Sequence, residues 1–114
     1  MRKRVYVAGA YSATNYIDVL HNMQRGMKLG AKVLKAGYAP FVPWFDYHFS
    51  LIDEEITLED YQDYAMSWLE ASECVLVVPN SEHSKGTIAE IKRARELNIS
   101  VYHSFIEMDI DLSD

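Results

Sequence analysis

Residues 74–90 read CVLVVPNSEHSKGTIAE, and the fold follows from how this stretch divides. Cys74 to Pro79 is a short apolar run of the kind a buried strand shows. From Thr87 a helical spacing takes over through Ile88, Ile91, Ala94 and Leu97. Between them lies a polar loop with one glycine, Gly86. A strand, a loop and a helix start in this order leave free backbone N–H groups at the positive end of a helix dipole. Such an end accepts an anion such as phosphate. Ser84 adds a hydroxyl, and Gly86 allows close approach to the backbone. Glu90 sits about one turn into the helix, facing whatever the loop holds. The alternative is a solvated loop and an exposed glutamate favoured by the dipole.

Working outward, the same alternation repeats. Val5–Ala8 (VYVA) is a first strand. The turn Gly9-Ala10-Tyr11-Ser12 follows, and a helix capped by Thr14 or Asn15 runs on apolar positions Ile17, Leu20, Met23 or Gln24, Met27, Ala31 and Leu34. Gly37 fits the position after its end. The turn lacks the second and third glycines of a dinucleotide fingerprint. Tyr38–Val42 is a second strand, with Pro40 suggesting a sheet edge. Residues 43–56 are aromatic-rich and read as irregular. Trp44, Asp46 and His48 there are candidate ligand-facing residues, an aromatic face being able to stack on a base. The other reading of these aromatics is a cap on the core or a subunit contact. Thr57–Ser72 is a helix with Leu58, Tyr61, Ala65, Trp68 or Leu69, and Ser72 inward. Ser100–Phe105 is a fourth strand after a stop at Asn98, and the acidic tail from 106 to 114 docks as a short helix or stays loose.

Repeated strand–helix units predict an α/β fold, a flavodoxin/Rossmann-like parallel sheet of four to five strands flanked by helices. Right-handed crossovers give the order 2-1-3-4 most simply. Ligands in such sheets bind where the order reverses, beyond the carboxyl ends of the first and third strands. That point brings together residues 9–12 and 80–90.

Composition narrows the partners. The chain has 114 residues and a net charge of -6. This is one domain's length, able to bury roughly 65% of its unfolded surface. The acidic balance argues against a nucleic-acid polymer but not against one small phosphate held by backbone groups. One cysteine, Cys74, excludes an internal disulfide. The four histidines show no metal-ligand spacing, so no metal and no cofactor are expected. No apolar run spans a bilayer and no signal peptide is apparent, so a cytoplasmic protein is the expectation.

The segments VYVAGAYS, GYAPFVP, WLEASECVLVVP and SKGTIAEIKRARELNISVY together resemble the nucleoside 2-deoxyribosyltransferase-like superfamily. Within it the chain is most similar to the small 2′-deoxynucleoside 5′-monophosphate N-hydrolases. The motif S-x-G-x-x-x-E falls on Ser84, Gly86 and Glu90. The resemblance implies that Glu90 is the nucleophile attacking the anomeric carbon and that Ser84 and Gly86 help hold the 5′-phosphate. It implies that Tyr6 orients the nucleophile and that residues 9–12 form the sugar- and phosphate-side loop. It also implies a nucleoside 5′-monophosphate or nucleoside substrate and a homodimer or larger assembly, with the segment Trp44–Phe49 as the candidate contact. One carboxylate traps an oxocarbenium-like centre while an acid protonates the base. Water then gives hydrolysis and a second base gives transfer. The chain departs from the family at Ala65, where relatives carry the aspartate that protonates the base. Asp63 is two helical steps away and points elsewhere. Three readings follow: a nucleotide binder without turnover, an enzyme using another acid such as Asp46 or Asp60, or an alanine substituted for aspartate to stop turnover.

Overall fold

The computed structural model describes residues 1–113. Its sheet has four parallel strands: β1 (Arg4–Ala8), β2 (Ala39–Phe41), β3 (Cys74–Val77) and β4 (Ser100–Tyr102). Their order is β2-β1-β3-β4, the order expected from right-handed crossovers. Helices α1 (Tyr16–Lys35), α3 (Leu58–Glu70), α4 (Lys85–Glu96) and α5 (Phe105–Leu112) cover it, and a short α2 (Tyr47–Ser50) lies in the connection after β2. No described helix is long and apolar enough to cross a membrane.

The two central strands are buried along almost their whole length, and their side chains alternate between two cores. Val5 and Leu76 pack with Val33, Tyr38 and Met108 on the face under α1 and α5. Tyr6, Ala8, Val75 and Val77 pack with Leu69 and Ala94 on the face under α3 and α4. Fully buried Met108 ties α5 down, so the acidic tail docks as a helix. Cys74 lies inside the sheet, where burial pushes its thiol up to about 12 and leaves it unreactive.

Several local expectations need correction. The inward face of α1 is Met23, Gly26, Gly30 and Val33, while Ile17, Leu20 and Leu34 are exposed. The helix turns its two glycines inward because they let β2 and its following turn come close. A Cβ on Gly26 would run into the Trp44 ring, and one on Gly30 would meet Val42. The segment after β2 is not irregular: residues 43–46 form a 3-10 turn that leads directly into α2. In α3 the expected inward residue Leu58 is exposed, lying in the first turn beyond the sheet, and Leu69 takes the core position. In α4, Ile88 is exposed and Thr87 and Ala94 are the buried residues. β4 stops at Tyr102 because Ser104 caps α5, its hydroxyl accepting from the Glu107 N–H. Other punctuation agrees with the sequence. Asn15 and Thr57 cap α1 and α3, and Gly37 takes φ 101° after α1.

Candidate functional site

Glu90 and Tyr6 form the centre. Glu90 sits on the inner side of α4 and is partly buried, and the Tyr6 hydroxyl donates to its Oε2. Tyr6 is fully buried in β1, so the bond fixes the carboxyl against the sheet. Burial raises the Glu90 carboxyl from an ordinary 4.5 to about 7, against the lowering effect of the Tyr6 bond. The Tyr6 phenol is held well above its ordinary value, by burial first and then by the Glu90 charge. A carboxyl shifted toward neutrality and held by a buried tyrosine of a parallel sheet suits nucleophilic or acid–base work.

The register of the sheet builds an aromatic wall beside this pair. Tyr6 lies opposite Phe41 in β2, so both rings leave the same face and stack at 5.5 Å. Phe41 stacks in turn on Trp68 at 5.6 Å and meets Tyr64 edge-on at 5.7 Å. Ala65 is partly buried against the core cluster that contains Tyr6, so position 65 faces the Tyr6 side of the sheet.

A second carboxyl joins from the 3-10 turn. Asp46 accepts from the Tyr11 hydroxyl at 3.1 Å. Burial raises its carboxyl, partly countered by the Tyr11 bond. Its charge reaches Tyr6, Tyr11 and Tyr61. Asp46 also lines a groove of about 620 Å³, together with Phe41, Phe45, Phe49 and Tyr64. Glu90 does not line that groove, which reaches the Glu90–Tyr6 pair only through Phe41, the ring stacked on Tyr6.

At the start of α4, Ser84 is the N-cap, its Oγ accepting from the Thr87 N–H at 3.4 Å. Its hydroxyl proton stays available to a ligand. Beside it Gly86 faces open space: an added Cβ would touch only Ser84 Oγ, at 3.9 Å. No protein atom therefore requires glycine there.

The structure brings Tyr6, Tyr11, Asp46, Ala65 and Glu90 to one region and reassigns others. Trp44 is not a stacking platform. It is 1% exposed, and its ring fills the space over Gly26. Ala10 cannot offer its backbone to a ligand. Its N–H donates to Ser81 Oγ at 3.0 Å, and its carbonyl accepts from the Trp44 indole at 3.1 Å. Gly9 answers a packing need, since a Cβ would stand 2.7 Å from Val78. Ser12 is exposed, and its carbonyl accepts from Asn22. His48 lies exposed on α2 with its ring nitrogen on the Phe45 carbonyl.

Sequence reasoning missed Ser81, which is 1% exposed and ties the β3 loop to the β1 loop. It also missed Thr87, whose buried Oγ1 finds no partner among the described residues. Only the pairing of the two loops could have pointed to either. Among the described residues no cluster of three or more His, Cys, Asp or Glu side chains is disposed to hold a metal ion.

No curated protein matches the chain. Among solved structures, the chain is similar to a 2-deoxyribosyltransferase from the psychrotolerant bacterium Bacillus psychrosaccharolyticus. The TM-score is 0.62 at 13% identity, over 86% of this chain and 69% of that one. At that identity the likeness is one of fold. A family profile matches residues 3–104, which hold the whole sheet and the segment from Tyr6 to Glu90, and the chain thus belongs to the family described as Domain of unknown function (DUF7768).

Proposed function

We propose that the protein is an N-glycosidase acting on nucleoside or deoxynucleoside 5′-monophosphates, releasing free base and sugar phosphate. The observation that carries this reading is the Glu90 carboxyl of α4, bonded by the buried Tyr6 hydroxyl of β1 and partly withdrawn from water. Glu90 attacks the anomeric carbon, and water later resolves the glycosyl-enzyme. The 5′-phosphate sits at the N-terminus of α4, on Ser84 and the backbone about Gly86. The fold shared with a 2-deoxyribosyltransferase supports sugar–base chemistry and favours deoxyribosyl transfer as a near variant, in which a second base replaces water. A second reading, a nucleotide binder without turnover, is favoured by Ala65 at the position where the resemblance implies an acid.

The test is incubation with a panel of nucleoside and deoxynucleoside 5′-monophosphates, with chromatography for free base and Glu90→Gln beside the wild type. Base release that disappears in the variant supports the glycosidase. A monophosphate that raises the melting temperature without release favours the binder, and Ala65→Asp is then the variant to assay. The absence of both release and binding ends the nucleotide reading. Adding a free base tells transfer from hydrolysis. We also infer that the chain pairs with itself through Phe45, Phe49, Leu51 and Ile52, which expose large apolar side chains on the α2 segment. A monomer by sedimentation would refute this.

A further inference from the structure

If Glu90 cleaves an N-glycosidic bond, the departing base needs a proton, and Ala65 cannot give one. The carboxylates near α3 are not equivalent. Asp60 is committed to the capping box of α3, where the Thr57 N–H donates to it and holds its carboxyl below the usual range. Asp63 is exposed on that helix. Asp46 is different. It is partly buried, it is oriented by the Tyr11 hydroxyl, and it lines the same groove as Phe41 and Tyr64. Those same rings continue from Tyr6, the partner of Glu90. The buried Tyr61 hydroxyl, which feels the Asp46 charge, has no partner among the described residues. It is a polar group left waiting for one on the Asp46 side of the site.

We propose that Asp46, positioned by Tyr11, is the acid that protonates the departing base, in place of the carboxylate missing at residue 65. This rests on the N-glycosidase reading above. A Glu90 oxygen bonds to the anomeric carbon as the carbon–nitrogen bond breaks. The bonding pair goes to the base, the Asp46 proton goes to the base, and the base leaves neutral. Asp46, now a carboxylate, then takes a proton from water as that water's oxygen bonds to the anomeric carbon and Glu90 departs as a carboxylate. One water is consumed, and one base and one sugar phosphate are released. Burial supports the assignment, because it favours the protonated carboxyl at rest.

The experiment compares ordinary substrates with ones that leave without a proton. The pairs are 2′-deoxyguanosine 5′-monophosphate with its N7-methyl derivative, and 2′-deoxyuridine 5′-monophosphate with its 5-fluoro derivative. In single-turnover release of base, which isolates the first step, Asp46→Asn lowers the rate for the ordinary member by roughly 100-fold or more and for the activated member by less than about fivefold. Tyr11→Phe shows the same asymmetry to a smaller degree. Asp46→Glu keeps an acid and restores part of the loss, which a merely weakened protein would not show. Equal losses on both members of a pair overturn the assignment, as does a wild type that cleaves only activated substrates. The glycosidase reading survives both of those results, since Glu90→Gln still abolishes release. A wild type that cleaves no member of either pair overturns the reading and the assignment together.

Discussion

Replacing Glu90 by glutamine should make the protein more stable at neutral pH, and the gain should depend on pH in a defined way. Glu90 has an ordinary value of 4.5 in the unfolded chain and about 7 in the folded one. The folded state therefore binds more protons than the unfolded state between these values. Stability falls as pH rises through that window, and the loss is complete above the folded value. At about 1.4 kcal/mol per pH unit the full cost is about 3 kcal/mol. Water at the mouth of the site reduces it, leaving roughly 1–3 kcal/mol. Glutamine has the same shape, still accepts from the Tyr6 hydroxyl and never ionises, so the variant escapes the cost. Calorimetric melting of both proteins from pH 4.5 to 8 reads the difference. It should be near zero at pH 4.5, grow through pH 6, and level off above pH 7 on the order of 5–15 °C in favour of the variant. All other titrating groups are common to both proteins and cancel. A difference that does not vary with pH, or a variant less stable at pH 8, would refute the argument that burial disfavours the Glu90 charge.

Other outcomes follow from neighbouring residues. On the proposed reading Glu90 must be ionised, so for a substrate whose base leaves without a proton kcat/KM should rise with pH through about 7 and then level, as read from a pH–rate profile. Gly86→Ala meets no protein atom closer than 3.9 Å and should raise stability by roughly 0.5–1 kcal/mol, while weakening monophosphate binding in a titration. Unchanged binding would remove the phosphate from that site. Gly26→Ala drives a methyl into the Trp44 ring and should cost about 1–3 kcal/mol in urea unfolding. Ser81→Ala leaves the buried Ala10 N–H without an acceptor and should cost about 1–3 kcal/mol by the same measurement.

The sheet was legible in the sequence because its strands are short apolar runs set between helical spacings, and because crossover handedness leaves one simple order. Ala10 and Ser81 are 71 residues apart, yet the order alone predicted that their loops meet. What periodicity did not reveal was which side of α1 turns inward. Hydrophobic spacing pointed to Ile17, Leu20 and Leu34, but glycines at 26 and 30 won because they admit Trp44 and Val42. The same close approach took Trp44 out of the site and into the core. Ser81 and Thr87 were not visible because a buried hydroxyl and a solvated one look alike in sequence. Asp46 was only one acid among several until the fold set it beside Tyr11 and left Asp60 in a helix cap.

The hydrogen bonds at Ala10 have a dynamic consequence. Its N–H is held by Ser81 from the loop after β3, and its carbonyl by Trp44 from the turn after β2. One peptide segment of the β1 loop thus latches the other two loops, and Asp46 follows Trp44 by two residues. The segments bearing Glu90, Asp46 and Tyr11 are therefore expected to open as one cooperative unit. Amide exchange at residue 10 would report the opening of the whole mouth, and a substrate entering it finds the three loops already in place.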